Sequence, residues 1–528
     1  MKSLMKKVFA AAAAIATVFG LAATTVATAN AADNATLTVS TADAKFAGKT
    51  VNAYKMFSAT VSGDGKAVSY TLTDEWKPFF KNSVGLTGVT DENVNDKAND
   101  YVSKLKDSTL VAFATKASNW PQTKANNITA DATATVSADA SNGKYTATFT
   151  GLGYGYYVVA VPGATLANAK SQYATLVSVH STKVDADIKG DLPTVDKKVQ
   201  VDGTGKDATD AKIGDTLTFT LTSTIPDMSA YDTYTFNFKD TLSKGLTFGQ
   251  VKSVKVENVT LTENTDYTVT TPTASNNNTL TVAMKDFKTK QQANAGKKIT
   301  VTYTATLNEN AVVGGAGNVN SAKIQYSNNP STNGTGESEP SKVRVFTYGF
   351  TVDKYTGDQY TDAATRLAGA EFTLAHKDGS AISFVQVSAG SATANAVYRV
   401  AKAGETGTTT ITTPANGKVV FEGLKNGEYT LTETKAPAGY NKLASAIGVK
   451  VNGQNNGTDT TNATVTITYN NDNGNDYNQT ASNGVIPVQN KSGAILPGTG
   501  GMGTIAFTVI GVLVIALGVA WTLKRKNA

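Results

Sequence analysis

The chain of 528 residues contains no cysteine and only two histidines. Without cysteine it cannot form the disulfides that usually reinforce small secreted domains, so any covalent reinforcement must use other side chains. His180 and His376 stand far apart, with neither cysteine nor carboxylate at ligand spacing. The common zinc and His-based catalytic patterns are therefore missing, and we expect no metal site and no cofactor.

The net positive charge disappears once the two ends of the chain are set aside. The formal net charge is +6. All of it comes from basic residues in two end segments that carry no Asp or Glu: Lys2, Lys6, Lys7, Lys524, Arg525 and Lys526. The neutral remainder lacks the concentrated positive charge that nucleic-acid binding needs, so we expect no nucleic-acid partner.

The two ends have the patterns of export and membrane insertion. Residues 1–31 read as a secretory signal peptide, with a positive start, an alanine-rich apolar run and a small-x-small cleavage pattern at Ala29-Asn30-Ala31. Residues 505–523 are uncharged and, at about 1.5 Å per residue, span roughly 28 Å, close to the apolar thickness of a bilayer. A basic tail at 524–528 follows, which predicts a transmembrane helix whose end stays in the cytoplasm.

A short motif, Leu496-Pro497-Gly498-Thr499-Gly500, precedes the apolar span. Motif, span and basic tail together resemble the LPxTG sorting signal of Gram-positive surface proteins. Pro497 holds the chain extended, and the two glycines let a foreign active site approach the Thr499 carbonyl. The resemblance implies that a sortase cysteine attacks Thr499, releases Gly500 onward and passes the acyl group to an amine. It also implies a secreted, cell-wall-anchored protein that is in the membrane only before sorting.

Most of the mature chain alternates apolar and polar residues, as in 217–221, 299–307 and 464–469. This period of two predicts an all-β chain of antiparallel sheets folded into sandwiches, with helix only near residues 91–117. Composition changes near 190–193 and 340–348, and about 470 mature residues are enough for roughly three domains. We therefore place domains at 32–190, 191–344 and 345–493.

An internal repeat links the first and third domains. The pattern F-x-G-L-x-x-G-x-Y occurs at residues 149–157 and again at 421–429. It predicts related folds at the two ends of the mature chain. The glycines of the first copy do not indicate a nucleotide loop, because strands flank both sides and no helix follows to receive a phosphate.

The third-domain repeat continues into residues 429–440, YTLTETKAPAGY, which strongly resemble the E-box of Gram-positive pilins and of collagen-adhesin B-type domains. In a strand, Glu433 shares a face with Tyr429 and Leu431, so its carboxyl points into the core. The resemblance implies three tandem immunoglobulin-like domains in the order B-type, A-type, B-type.

Two more polar residues share faces with core residues in the third domain. Lys354 lies on the face of Phe350 and Val352, and Asn490 on that of Ile486 and Val488. Such burial is costly unless the groups pair or react. In the families resembled they react: a neutral lysine amine attacks the asparagine carboxamide with help from the acid. This implies Lys354 as nucleophile, Asn490 as electrophile and Glu433 as catalyst, with no cofactor.

The middle domain shows the same pattern of a lysine, an acid and an asparagine that share faces with apolar residues. Its opening residues 194–199, TVDKKV, resemble the first strand of the pilin middle domain, the A-type counterpart, and parity selects Lys197. Asp240 lies in a stretch that resembles the acid-bearing segment. Parity indicates Asn320 as the partner, although Asn318 has the same parity and stays open. In the first domain, Val161 stands where Glu433 stands in the repeat, so we expect no bond there.

Polymerisation needs an amine as well as a sorting signal. Pilins of this kind carry a lysine at the end of the first domain, commonly in a Tyr-Pro-Lys-Asn setting. Here the matching place holds Lys189, without the Tyr and Pro, and Lys183 is the alternative. The resemblance implies a pilus backbone subunit that supports adhesion, with pilus and housekeeping sortases, neighbouring pilin subunits and peptidoglycan as partners. A host ligand stays open.

Two competing functions remain at this point. The same domains would suit a wall-anchored adhesin or a minor tip or base pilin that does not polymerise. A secreted enzyme acting on glycans is disfavoured, because Asp and Glu occur mostly singly and no acid pair stands in a recognisable cleft motif. We therefore expect a structural protein and not an enzyme.

Overall fold

The computed structural model describes residues 34–123, 125–164, 174–330, 332–358, 362, 365–454, 457, 463–470, 477–493 and 502–526. The predicted signal peptide and the sorting motif lie outside these residues. Strands dominate the described chain, and they pair within three successive regions without a sheet that joins one region to the next. The all-β expectation is confirmed.

The first region combines two sheets with helices. One sheet has the order β5-β1-β8 and the other β3-β2-β6-β7, with β4 added to β2. The strands are β1 (Ala35–Thr41), β2 (Thr50–Val61), β3 (Val68–Leu72), β4 (Ala132–Thr135), β5 (Tyr145–Leu152), β6 (Gly155–Ala160), β7 (Ala174–Val179) and β8 (Lys183–Asp187). The helices are α1 (Lys77–Asn82), α2 (Val94–Ser103) and α3 (Asp107–Asn119).

Helix α1 was not predicted from the sequence, whereas α2 and α3 fall where loosened periodicity indicated helix. The short α1 has only six residues and buries the adjacent pair Phe79 and Phe80. Both rings join a separate aromatic core with Trp76 and Phe113. A helix this short is stabilised by tertiary packing, and its sequence carries little periodic signal of its own.

The middle region is a pair of facing sheets. Their orders are β10-β9-β12-β18-β14-β15 and β11-β21-β19-β13-β17-β16, with β20 added to β19. The strands are β9 (Asp196–Val201), β10 (Thr204–Lys206), β11 (Ala208–Asp210), β12 (Thr216–Thr224), β13 (Phe236–Leu242), β14 (Leu246–Val256), β15 (Val259–Thr260), β16 (Tyr267–Thr270), β17 (Thr279–Met284), β18 (Lys298–Leu307), β19 (Asn318–Ser327), β20 (Thr335–Glu337) and β21 (Ser341–Phe346). A short helix, α4 (Phe287–Gln291), also lies outside the segment in which the sequence predicted helix, and its Phe287 ring stacks on Phe236 of β13.

The third region also has two sheets, in the orders β24-β25-β27-β22-β32 and β26-β23-β28-β29-β30-β31. The strands are β22 (Tyr348–Tyr355), β23 (Glu371–His376), β24 (Phe384–Ser388), β25 (Ala396–Val400), β26 (Ile411–Thr412), β27 (Lys418–Leu424), β28 (Gly427–Lys435), β29 (Ile447–Gln454), β30 (Thr464–Tyr469), β31 (Gln479–Thr480) and β32 (Val485–Gln489). First and last strands, β22 and β32, pair in parallel, as β1 and β8 do in the first region.

The sequence repeat has the same local geometry in both places. It covers the turn from β5 to β6 and the turn from β27 to β28. The Tyr157 hydroxyl donates to the carbonyl oxygen of Gly153, and the Tyr429 hydroxyl to that of Lys425, each at 2.7 Å. Gly151 and Gly423 both have positive φ, 73° and 83°. The repeated tyrosine therefore makes the same hydrogen bond across the turn between two strands in the first and third regions.

The C-terminal apolar span is a single helix, α5 (Met502–Lys526). Its segment 507–525 is long and apolar enough to cross a membrane and none of it is buried against the rest of the chain. The core helix of a soluble protein would be mostly covered, so its exposure and its place after the last domain fit a membrane anchor.

Candidate isopeptide sites

In the third region, Lys354, Glu433 and Asn490 meet inside the sandwich. Lys354 comes from β22, Glu433 from β28 in the opposite sheet, and Asn490 directly follows β32. The Lys354 Nζ lies 3.2 Å from Glu433 Oε1, and Asn490 Nδ2 donates to Glu433 Oε2 at 3.0 Å. All three residues are at most 2% exposed. One carboxylate therefore touches both the amine and the carboxamide.

The surrounding chain fixes this carboxylate. The backbone N–H of Leu443 donates to Glu433 Oε2 at 2.7 Å, and Asn490 Nδ2 also donates to the carbonyl oxygen of Asn441 at 2.9 Å. The segment that follows the E-box strand thus closes over the three side chains. Burial lowers the pKa of Lys354 to about 8, although the nearby Glu433 carboxylate works against that shift. A substantial share of the amine is then neutral near physiological pH and able to attack a carbonyl.

The middle region holds a second buried cluster. Lys197 on β9 pairs with the carboxylate of Asp240 on β13, which belongs to the facing sheet. Asn320 lies on β19, next to β13, and all three residues are fully buried. Burial lowers the pKa of Lys197 to about 8, with Asp240 opposing the shift. Amine, acid and amide therefore occur together here as well.

Of the two candidate asparagines, the structure brings Asn320 and not Asn318 to this cluster. Asn320 Nδ2 lies 2.6 Å from the Tyr303 hydroxyl, which also contacts Lys197 and Asp240. Asn318 is equally buried, but its side chain bonds the backbone of Val312 and the carbonyl of Val345. Its hydrogen bonds hold the loop at Val312, and none of them reaches Lys197 or Asp240.

The first region has no matching acid, because the buried aliphatic Val161 stands at the repeat position of Glu433. The candidate polymerisation residue Lys189 follows β8, is half-buried, and its Nζ lies 3.8 Å from Asp187 Oδ2. The alternative, Lys183, begins β8 and is exposed. Both lysines therefore lie at or near the surface of the first region.

Sequence reasoning missed two features of these sites. Tyr303 lies among the apolar residues of 299–307, and its position on their buried face was the available signal. Asp353, adjacent to Lys354, is also buried, and it faces Arg366, whose Nε is 2.6 Å from its Oδ1. Burial raises the pKa of Asp353, while Arg366 and Lys418 oppose the rise. Nothing in the pattern around Arg366 indicated this contact, which depends on a loop conformation.

Two segments of the chain match models of known families. Residues 213–330 match the Gram-positive pilin backbone subunit 2, Cna-B-like domain, and residues 358–466 match SpaA, a prealbumin-like fold domain. The middle region thus matches a pilin-backbone domain and the third region a prealbumin-like domain. The model that matches the middle region is Cna-B-like, whereas the sequence resemblance suggests an A-type domain, so the A-type assignment stays a prediction.

The chain is also similar to individual surface proteins and pilins. The trypsin-resistant surface T6 protein of Streptococcus pyogenes serotype M6 is 26% identical over 279 residues, which cover 48% of this chain and 44% of that protein. The match thus spans less than half of the relative's length. The solved T6 backbone pilin of the same species is 18% identical, with 87% of this chain and 99% of that one covered and a TM-score of 0.46. The major pilin SpaD of Corynebacterium diphtheriae is 20% identical, with 88% and 98% covered and a TM-score of 0.39.

Proposed function

We propose that this chain is the structural backbone subunit of a sortase-polymerised, cell-wall-anchored pilus whose middle and third domains close their own intramolecular Lys–Asn bonds. The observation that carries the proposal is the pair of fully buried lysine, acid and asparagine clusters inside two pilin-type domains. Burying an amine, a carboxylate and a carboxamide together costs free energy even when the groups pair. Condensation would join the lysine and the asparagine into one uncharged amide.

The proposed reaction needs nothing from outside the fold. In the third domain the neutral Lys354 amine attacks Cγ of Asn490, a new N–C bond forms, and the Cγ–Nδ2 bond breaks to release ammonia. Glu433 contacts both groups and can take the proton that the amine loses and return one to the departing nitrogen. Fixed geometry takes the place of an enzyme, because effective concentrations in such arrangements reach roughly 10⁵ M or more.

The positions of the bonds suit a chain under tension. If Lys189 of one subunit is joined to Thr499 of the next, pulling force enters after the first domain and leaves after the third. The path then runs through both clusters, and each links a strand near the start of its domain to one near the end. Extension of the sheets between those strands would require breaking an amide. Such a subunit would resist unfolding by force without disulfides.

A ladder assay tests the polymerisation. Cells that carry the matching sortase should release species of increasing mass on a denaturing gel, and Lys189→Ala should reduce them to a single band. Lys183→Ala is the matched control and should keep the ladder. If both variants and the parent chain give a single band, the chain is an anchored monomer, as expected of an adhesin or a minor pilin. A ladder that survives in Lys189→Ala but not in Lys183→Ala would move the junction to Lys183.

A further inference from the structure

The two buried clusters differ in how the acid reaches the amide. In the third domain the longer Glu433 side chain touches both Lys354 and Asn490. In the middle domain, Asp240 is one methylene shorter. Its Oδ2 contacts Lys197 and Tyr303, and its Oδ1 has no hydrogen-bond partner among the described residues. The acid therefore makes no hydrogen bond to Asn320, and a separate group stands between them.

That group is the hydroxyl of Tyr303. It lies 2.6 Å from Asp240 Oδ2, 2.6 Å from Asn320 Nδ2 and 2.9 Å from Lys197 Nζ. It can donate to the carboxylate and accept from the amide at the same time. It is thus the one described side chain in contact with all three members of the cluster.

Packing holds the Tyr303 ring in this position. The ring is fully buried on β18 and stacks on Phe219, its cross-strand neighbour in β12, with centroids 5.3 Å apart. Phe248 packs on it at 6.0 Å. Burial raises the pKa of Tyr303 well above its usual value, so the hydroxyl keeps its proton. A fixed, protonated hydroxyl is suited to pass protons between fixed neighbours.

We infer that Tyr303 is a further catalytic residue of the middle domain, which relays a proton between Asp240 and the departing nitrogen of Asn320. This inference rests on the proposed bond-forming reaction. As Lys197 Nζ bonds to Asn320 Cγ, it gives a proton to Asp240. The Tyr303 hydroxyl takes a proton from Asp240 and gives its own to Nδ2, the Cγ–Nδ2 bond breaks, and ammonia leaves. Tyr303 ends in the state in which it began.

The test is Tyr303→Phe in the full chain, because phenylalanine keeps the stacked ring and removes only the hydroxyl. Protein sampled at intervals after a short pulse of synthesis is digested, and the two cross-linked peptides are measured by mass spectrometry. The Lys197–Asn320 bond should form about 100-fold more slowly or worse, which is the usual loss when a positioned proton-transfer group is removed. The Lys354–Asn490 bond in the same molecules is the internal control and should form at the parent rate.

Tyr326→Phe is the matched variant, because it removes another buried tyrosine hydroxyl, on the strand that carries Asn320. It should leave both bonds at parent rates. A middle-domain bond that forms at the parent rate in Tyr303→Phe would overturn the inference while leaving the proposed reaction intact. A parent chain without this bond would instead overturn the reaction, and the inference with it.

Loss of folding in Tyr303→Phe would show as loss of protease resistance in the middle domain. Global incorporation of 3-fluorotyrosine into the parent chain then gives the answer, because it keeps every hydroxyl and alters its acidity. The rate of the middle-domain bond should change and that of the third-domain bond should not. Equal rates with and without fluorine for the middle-domain bond would overturn the relay.

Discussion

Replacing Asn490 with alanine isolates the contribution of the third-domain bond. The variant cannot condense, yet it keeps the Lys354–Glu433 ion pair, whose atoms are 3.2 Å apart. Removing Glu433 instead would leave the buried amine without its counter-charge, which typically costs a further 3–5 kcal/mol. We therefore expect Glu433→Ala to be the more damaging change, although both variants lose the same covalent bond.

The size of the effect follows from the loop that the bond closes. About 136 residues separate Lys354 from Asn490, and in the chain-entropy model a closed loop of that length contributes about 5 kcal/mol. For a domain of this size, each kcal/mol lowers the melting temperature by about 2–4 °C. The third-domain transition should fall by at least about 10 °C.

Differential scanning calorimetry of the mature chain measures this shift while the other domains serve as internal references. Lys491→Ala is the matched control, because it truncates the exposed neighbouring side chain and leaves the site untouched. If the third domain melts at the same temperature in Asn490→Ala as in Lys491→Ala, the parent chain has no cross-link to lose. The reasoning about this site would then be refuted.

Three further outcomes are expected. In Asn490→Ala, the free energy of unfolding should rise as pH increases from about 8 to 10.5. Burial holds the pKa of Lys354 near 8, so in this pH range the unfolded chain binds more protons than the folded chain. Urea titrations at several pH values measure this rise. Arg366→Met should destabilise the third domain by up to about 3 kcal/mol, since the buried Asp353 then keeps only the partly exposed Lys418, whose Nζ lies 3.7 Å from its Oδ2; unchanged urea midpoints would contradict this. Asn318→Ala should keep the middle cross-link and Asn320→Ala should lose it, and a digest with the opposite result would reverse the assignment.

The strands and the inward-facing polar residues could be predicted because a strand has a side-chain period of two. A lysine or glutamate in register with apolar residues must share their face, and parity therefore placed Lys354, Glu433 and Lys197 in the core. Parity could not choose between Asn318 and Asn320. That choice depends on the register of β19 against β13, where Asn320 lies opposite Leu242, and on contacts across the sandwich.

Other features depend on tertiary contacts that no local pattern carries. Tyr303 reads in sequence as one more large residue on an apolar face, and only the facing sheet shows what its hydroxyl touches. The contact of Arg366 with Asp353 requires a particular loop path. Helix α1 is too short to have a periodic signal. These are cases in which packing between distant segments decides the outcome.

The intact mass of the mature chain tests the central claim most directly. Each bond releases one ammonia, so two bonds lower the mass by about 34 Da relative to the sequence, and Asn490→Ala should show the loss of only one. Digestion should then yield linked peptides that join Lys197 to Asn320 and Lys354 to Asn490. A mature chain with its full theoretical mass would contradict the account.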